Sequence, residues 1–315
     1  MSRRGIVLFV ALGVVWGLPY LLIKVAVREI SPALLVLVRT GGGALILLPL
    51  AVRARAIRPV LARWRPLVAF TVVELVVPWY ALFNAEKRLS SSLSGLLVAA
   101  VPLVGAVLAV ATGSHRLDWR RAGGLGLGFL GVGALVGFDV GRSDLGSALS
   151  IGLVAIGYAL GPWIIARHLA DLPRLGVIAA SLSLCALLYA PAALLQLPSR
   201  PLSPEVVASM ATLTVICTAL AFVLAFALVE EVGAMRMTVI TYVNPAVAVL
   251  LGVTVLGEHF GGWTAAGFAL IIGGSILATG ALSRSAAESA TRPAAPAEAL
   301  CPAAAPAEAL PSATD

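Results

Sequence analysis

The 315-residue chain is 60% hydrophobic and only 12% charged, and its mean hydropathy is strongly positive. A soluble domain cannot hide that much apolar surface from water, and apolar stretches of about 20 residues, enough to cross roughly 30 Å of hydrocarbon, recur along the whole length. The formal net charge of +7 does not signal nucleic acid, because the arginines fall in short clusters between apolar stretches and not along one face of a folded domain.

Taken in order, the apolar windows between Pro, Gly and charged residues predict spans at 5–27, 32–52, 66–84, 89–112, 120–138, 145–167, 174–197, 205–230, 234–256 and 262–282. The fold class expected is an all-α membrane protein of ten transmembrane helices. The opening "MSRRGIVLFVALGVVWGLPY" starts like a signal peptide, but its apolar run continues past Trp16 with no small-x-small cleavage site, so it reads as an uncleaved first span. With the N-terminus inside, fifteen arginines fall in inner segments: Arg3 and Arg4, five between 53 and 65, Arg116, Arg120, Arg121, Arg167, Arg174, Arg236, Arg284 and Arg292. Only Lys24, Arg28, Lys87, Arg88, Arg142 and Arg200 fall outside, which puts both termini in the cytoplasm of a plasma or inner membrane protein. From residue 284 the composition turns to Ala, Pro and Glu, with "APAEAL" at 295–300 repeated at 305–310; residues 284–315 are expected to be a disordered cytoplasmic tail. Cys185, Cys217 and Cys301 form no close pair and no metal spacing.

"LLVAAVPLVGAVLAVATGSHRL" (96–117) aligns with "VITYVNPAVAVLLGVTVLGEHF" (239–260) at an offset of 143 residues. Pro102 then matches Pro245, His115 matches Glu258, Gly124 matches Gly267 and Gly131 matches Gly274. The domains expected are two five-helix repeats, 1–138 and 145–283. Five is odd, so the halves enter the membrane in opposite senses, the inverted-repeat plan of many secondary transporters, with the solute site near the midplane between halves.

Several segments carry a resemblance. "VVWGLPYLLIK" (14–24), "SPALLVLVRTGGGALI" with its buried arginine, the Pro-containing "LSSSLSGLLVAAVPLVGAVLA" and "TYVNPAVAVLLGVTVLGEHFGGWTAAGFALIIGG" resemble, in this order, EamA-type members of the drug/metabolite transporter superfamily. The likeness runs from about residue 5 to 282. It departs at "GSHRL", where His115 stands in place of the usual acid, and at "EEVGAMRM", which carries two acids on the inner side. The resemblance implies a carrier, often an exporter, that moves amino acids, metabolites or drugs by alternating access without ATP.

Glu74 and Arg39 are the two charges well inside spans. Glu74 is about 9 residues and Arg39 about 7 from the outer ends of their helices, so at 1.5 Å per residue their depths differ by only ~3 Å. Buried ionisable groups in a bilayer face a partner or a wet cavity and mark pathways by default. Two readings stay open: Glu74 lines a cavity and exchanges the proton that couples transport, or it forms a structural ion pair with Arg39. Under the 143 offset their counterparts are Cys217 and Leu182, so the charge belongs to one half alone. Trp16 lies at a similar depth, too deep for the interfacial belt. Tyr158 and Trp163 flank Pro162, and Tyr242 and Asn244 precede Pro245, where they either line the solute path or bond a carbonyl that the proline frees. The expected solute-lining set is Trp16, Arg39, Glu74, Tyr158, Trp163, Tyr242 and Asn244. Tyr80 and Asn84 read as outer-interface residues, and Lys24 as a snorkelling lysine.

Gly126, Gly128 and Gly131 satisfy G-x-G-x-x-G, but inside an apolar span with no preceding strand they read as helix packing, with Gly124 and Gly128, and Gly133 and Gly137, as small-residue pairs. Prolines 19, 78, 102, 162, 191 and 245 predict bends in six spans. His115, His168 and His259 fall at loops or span ends, and no Ser-His, paired-Asp or metal pattern lies within the bilayer, so no enzyme, cofactor or metal is expected. No P-loop motif or soluble nucleotide domain is present, which argues against a primary pump. The partners expected are a small-molecule substrate and the lipid bilayer, with possible proton coupling; the rivals are a non-transporting membrane receptor or assembly subunit and a membrane-embedded enzyme.

Overall fold

A computed structural model describes residues 2–114, 116–139, 144–233 and 240–279. His115, Arg142, Arg236, the start of the ninth predicted span and the tail from 284, with Cys301, lie outside the described residues. The described chain is helical throughout. α1 (Arg3–Ala26) and α2 (Pro32–Arg53) each start on a serine whose hydroxyl accepts a backbone N–H three residues on, Ser2 from Gly5 and Ser31 from Leu34. Such caps satisfy one of the orphan donors of the first turn. After a short α3 (Ile57–Ala62) comes the third span, Trp64–Ala85. It is not one regular helix: α4 (Trp64–Thr71) passes into a π-helical turn, Val72–Val76, and then into α5 (Val77–Ala85).

The fourth span divides at Ala99–Ala100 into α6 (Ser91–Val98) and α7 (Val101–Ala111), as Pro102 predicted. α8 (Trp119–Asp139) is followed by α9 (Leu145–Ile164), which ends in a π-helical turn at Ile165–Leu169 after Pro162, and by α10 (Arg174–Leu194). The eighth span is α11 (Pro204–Thr214), a π-helical turn at Val215–Leu220 and α12 (Ala221–Val232); α13 (Ile240–Leu256) and α14 (Gly262–Thr279) complete the described chain. Pro19, Pro191 and Pro245 stay inside unbroken helices, so half of the predicted bends do not become helix breaks. Eight helical segments are long and apolar enough to cross a bilayer, and Ile240–Leu256 is a shorter apolar helix. The glycine-rich α8 is the other long helix of the bundle.

Helix pairing follows the sequence repeat. α8 lies along α14, α2 along α10 and α1 along α13; α5 and both halves of the fourth span pack on α9, and α11 and α12 pack on α1. Shifting every residue by 143 maps this pattern onto itself, because α8 and α14 exchange, α2 and α10 exchange, and the α1–α13 contact becomes that of α9 with the fourth span. The π-helical turn at 72–76 falls on the one at 215–220 under the same shift.

The α8–α14 seam is the closest approach. A methyl group on Gly124 would stand 2.8 Å from the Gly274 carbonyl, and one on Gly131 would stand 2.6 Å from the Gly267 carbonyl. Going up one helix means going down the other, so these two equivalent helices run antiparallel, and only glycine lets the backbones meet there. Gly128 packs against Leu103 and Gly274, as the small-residue reading expects. Gly133 and Gly137 face nothing within 4 Å and form no such seam.

Both ends of the bundle are tied. At the end rich in arginine, Arg63 grips Asp171 through two hydrogen bonds of 2.6 and 2.7 Å, and Ser2 bonds Glu231. The Arg63 hydrogen bonds and charge hold the Asp171 carboxyl below its ordinary range. At the opposite end Lys24 donates to the backbone carbonyls of Glu86 and Leu89, both at 2.7 Å. Glu258 there accepts from the Ser91 and Ser92 amides and the Ser92 hydroxyl, capping α6 from 166 residues away. Burial alone would raise the Glu258 carboxyl, but these donors outweigh it and hold it below the ordinary carboxylate range.

Candidate functional site

Arg39 is the centre of the site. It lies in the middle of α2, only 7% exposed, where an uncompensated charge would cost several kcal/mol. Two kinds of partner compensate it. Its Nε donates to Thr218 Oγ1 at 2.9 Å and an NH2 proton points to the Cys217 carbonyl at 3.5 Å, both on the π-helical turn of the eighth span. Its guanidinium also stacks 3.9 Å from the Trp79 ring centroid and 5.9 Å from that of Phe83, both on α5. A planar cation over an indole face is favoured by the ring quadrupole, more so when desolvated. The π-helical turn makes the hydroxyl available: Thr218 Oγ1 donates to the Leu213 carbonyl five residues back, and its lone pair is left for Arg39.

Glu74 sits on the matching turn of the first half and faces the other way. Its carboxylate lies against Gly161 of α9, where any larger side chain would strike it, and neighbouring Gly157 admits the Val73 carbonyl and Pro78. Glu74 Oε2 is buried and has no hydrogen-bond partner among the described residues. The ion pairs among the described residues are Arg63–Asp171 and Arg88–Asp144. Arg39 and Glu74 therefore form no ion pair, and the arginine is taken up instead by the Trp79 ring and the Thr218 hydroxyl. Tyr158 on α9 links the two, within electrostatic reach of both Glu74 and Arg39.

The other predicted residues divide. Trp16 is half-buried in a second apolar cluster with Leu12, Ala225 and Leu228, on the side of α1 facing α12. Asn244, its amide nitrogen turned toward α1, donates to the Gly13 carbonyl at 3.2 Å and the Ile240 carbonyl at 3.1 Å, tying α13 to α1. Tyr242 faces Thr279 of α14. Trp163 stands 40% exposed near the arginine-rich end, beside Arg167 and His168 and apart from Arg39. Tyr80 is exposed and stacks on Tyr189, whose hydroxyl donates to the Val76 carbonyl at 2.8 Å. Lys24, half-buried at the end of α1, donates to the Glu86 and Leu89 carbonyls.

Sequence reading missed Glu86. In "NAEKRLSSS" it looks like a solvated loop charge, yet it is 0% exposed, and neither carboxylate oxygen has a hydrogen-bond partner among the described residues. It lies within electrostatic reach of Arg39, Tyr20 and Tyr158 on the inside and of Lys24 and Glu258 on the outside. Among the described residues no three His, Cys, Asp or Glu gather as a metal site.

A solved structure whose title reads only "Crystal structure of protein" is similar to the chain at 23% identity and a TM-score of 0.63, covering 90% of this chain and 99% of that one. At that identity the likeness bears on the fold. No curated protein matches the chain. Residues 3–137 match the EamA-like transporter family, and residues 146–280 match it again. The second stretch starts 143 residues after the first, the offset at which the glycines of the seam and the two π-helical turns superpose. A family match repeated over nearly the whole helical bundle, together with apolar membrane-length helices, means that this multi-pass membrane chain belongs to the EamA-like transporter family of the drug/metabolite transporter superfamily.

Proposed function

We propose that the protein is a secondary-active carrier that exports a small organic solute across a plasma or inner membrane, using ten spans arranged as two inverted halves with both termini in the cytoplasm. The observation that carries this reading is Arg39: a mid-span cation of the first half whose hydrogen-bond partners, Thr218 and the Cys217 carbonyl, belong to the second. A charge shared between halves senses their relative movement, which is the motion alternating access requires. The antiparallel docking of the equivalent helices α8 and α14 supports the inversion.

The solute path passes Arg39, Tyr158 and Glu74, with Trp79 and Phe83 as its apolar wall. Glu74, with its buried Oε2 left without a hydrogen-bond partner and set against α9, is the group that takes and releases a proton during the cycle. Trp16, Tyr242 and Asn244 act through packing of α1, α13 and α14. The test is flux in proteoliposomes of purified protein, across a panel of amino acids, other zwitterions and organic cations, with and without a pH gradient. Wild-type protein moves at least one solute without ATP and faster down a favourable proton gradient; Glu74→Gln loses the gradient dependence. Retained dependence in that variant refutes the role of Glu74, and solute binding without flux replaces the carrier by a receptor.

A further inference from the structure

One cleft lies away from the solute path. Where α4 begins and α9 ends, a cavity of about 460 Å³ is lined by Arg65, Pro66, Ala69, Trp163, Ile164 and His168. Its lining is mostly apolar, with Arg65 and His168 as its polar members, and Arg167 stands beside it against Trp163. Arg167 lies 5.5 Å from the Trp163 ring centroid and His168 meets the same ring edge-on at 6.3 Å, while Arg65 stands 5.5 Å from the ring of Trp64. Asp171, two residues past the turn that carries Arg167, is held by both NH groups of Arg63, so its charge is already matched there.

This cleft also breaks the repeat. Arg167 sits on a π-helical turn, Ile165–Leu169, whose counterpart at 22–26 is regular α-helix, and the counterpart of Arg167 itself is Lys24, turned inward onto two carbonyls. The irregular turn of the second half instead presents Arg167 and His168 outward, beside a 40% exposed Trp163. The position is the end of two membrane-length segments, Trp64–Ala85 and Leu145–Leu169, so the cleft opens at the boundary between hydrocarbon and headgroups. Tryptophan prefers that level, and basic pockets between helices there take anionic headgroups.

We infer that the cleft binds an anionic phospholipid, its phosphate between Arg65 and Arg167 and its glycerol and upper acyl chain against Pro66, Ala69, Ile164 and Trp163. Neither the solute nor the transport cycle enters this inference. The probes are phosphatidylglycerol and phosphatidylcholine carrying brominated acyl chains, added to the full-length protein in mixed micelles. The readout is quenching of the Trp163 fluorescence, isolated by subtracting the Trp163→Phe variant. Each cation near a membrane surface is worth about fivefold in affinity, so quenching by the phosphatidylglycerol should need a roughly 5- to 25-fold lower lipid fraction than quenching by the phosphatidylcholine. Arg65→Gln with Arg167→Gln abolishes the preference, and the paired Lys variants keep most of it. If the double Gln protein does not survive purification, each single Gln variant loses about fivefold by the same reckoning. Equal quenching by both lipids, a preference that outlives the Gln substitutions, or displacement by soluble sn-glycerol 3-phosphate overturns the inference, the last by assigning the cations to a free phosphate.

Discussion

The turns at 72–76 and 215–220 occupy the same place in the two repeats and share a rare backbone form, yet they carry opposite chemistry. The first holds a carboxylate and aims it at a glycine of α9; the second holds a thiol and a hydroxyl and aims the hydroxyl, with a carbonyl, at an arginine of the other half. Duplication preserved the scaffold, and divergence assigned the charges. The same division holds at the helix ends, where Glu258 caps α6 at one end while its counterpart in the repeat is His115.

The strongest way to break this comparison is to remove the one side chain that joins both turns' surroundings. Arg39→Ala deletes the contacts to Thr218, Cys217 and Trp79 together, and transport is expected to fall by more than about tenfold, with a stability loss of about 1–3 kcal/mol from the lost hydrogen bonds and ring contact. Arg39→Lys keeps the charge but not the planar stack, so its flux should fall between the two. Near-normal flux in Arg39→Ala would leave the arginine as a mere brace.

Backbone symmetry makes a separate demand. Gly131→Leu and Gly274→Leu place the same bulk at equivalent points of one antiparallel seam, and each is expected to cost about 1–3 kcal/mol or more by overpacking. Thermal unfolding in detergent should show similar losses for both; a large loss at one and none at the other would sink the claim that the seam is symmetric.

The smallest effect is expected from Glu258→Gln. Its carboxyl is held below the ordinary range by Ser91 and Ser92, so its folded value lies under its unfolded one. The stability it adds is present at neutral pH and is lost as pH falls below about 4.3, the unperturbed glutamate value. Wild type should exceed the variant by about 1 kcal/mol at pH 7, a typical capping contribution, and the gap should close in acid. A gap that stays constant with pH would mean that size, not charge, is what Glu258 supplies.

Much of the scaffold was legible in sequence. Apolar run length marked the spans, the 143-residue offset marked the repeat, and the i, i+4 pair Gly124 and Gly128 marked close packing, whereas the pair Gly133 and Gly137 faces nothing. The interior of the site was less so. Equal depth in the bilayer suggested an Arg39–Glu74 contact, but depth says nothing about which way a side chain points around its helix, and the arginine's hydroxyl partner lies 179 residues away. Glu86 was hidden for a similar reason: a charged loop of four residues reads as solvated until the lysine of α1 folds over it. No residue pattern announces a π-helical turn, and without one Trp79, Phe83 and Glu74 would be placed on the wrong faces.

A π-helical turn is one residue too many for an α-helix, and one residue is worth about 100° of rotation. At 72–76 that surplus lets a single span look two ways at once, with Glu74 toward α9 and Trp79 and Phe83 toward the arginine. Losing one codon there would leave the span apolar, helical and long enough to cross the membrane, yet it would swing everything after the deletion by more than a quarter turn. The site is thus guarded by chain length as much as by residue identity, and a one-residue gap in this stretch is a deeper change than most substitutions.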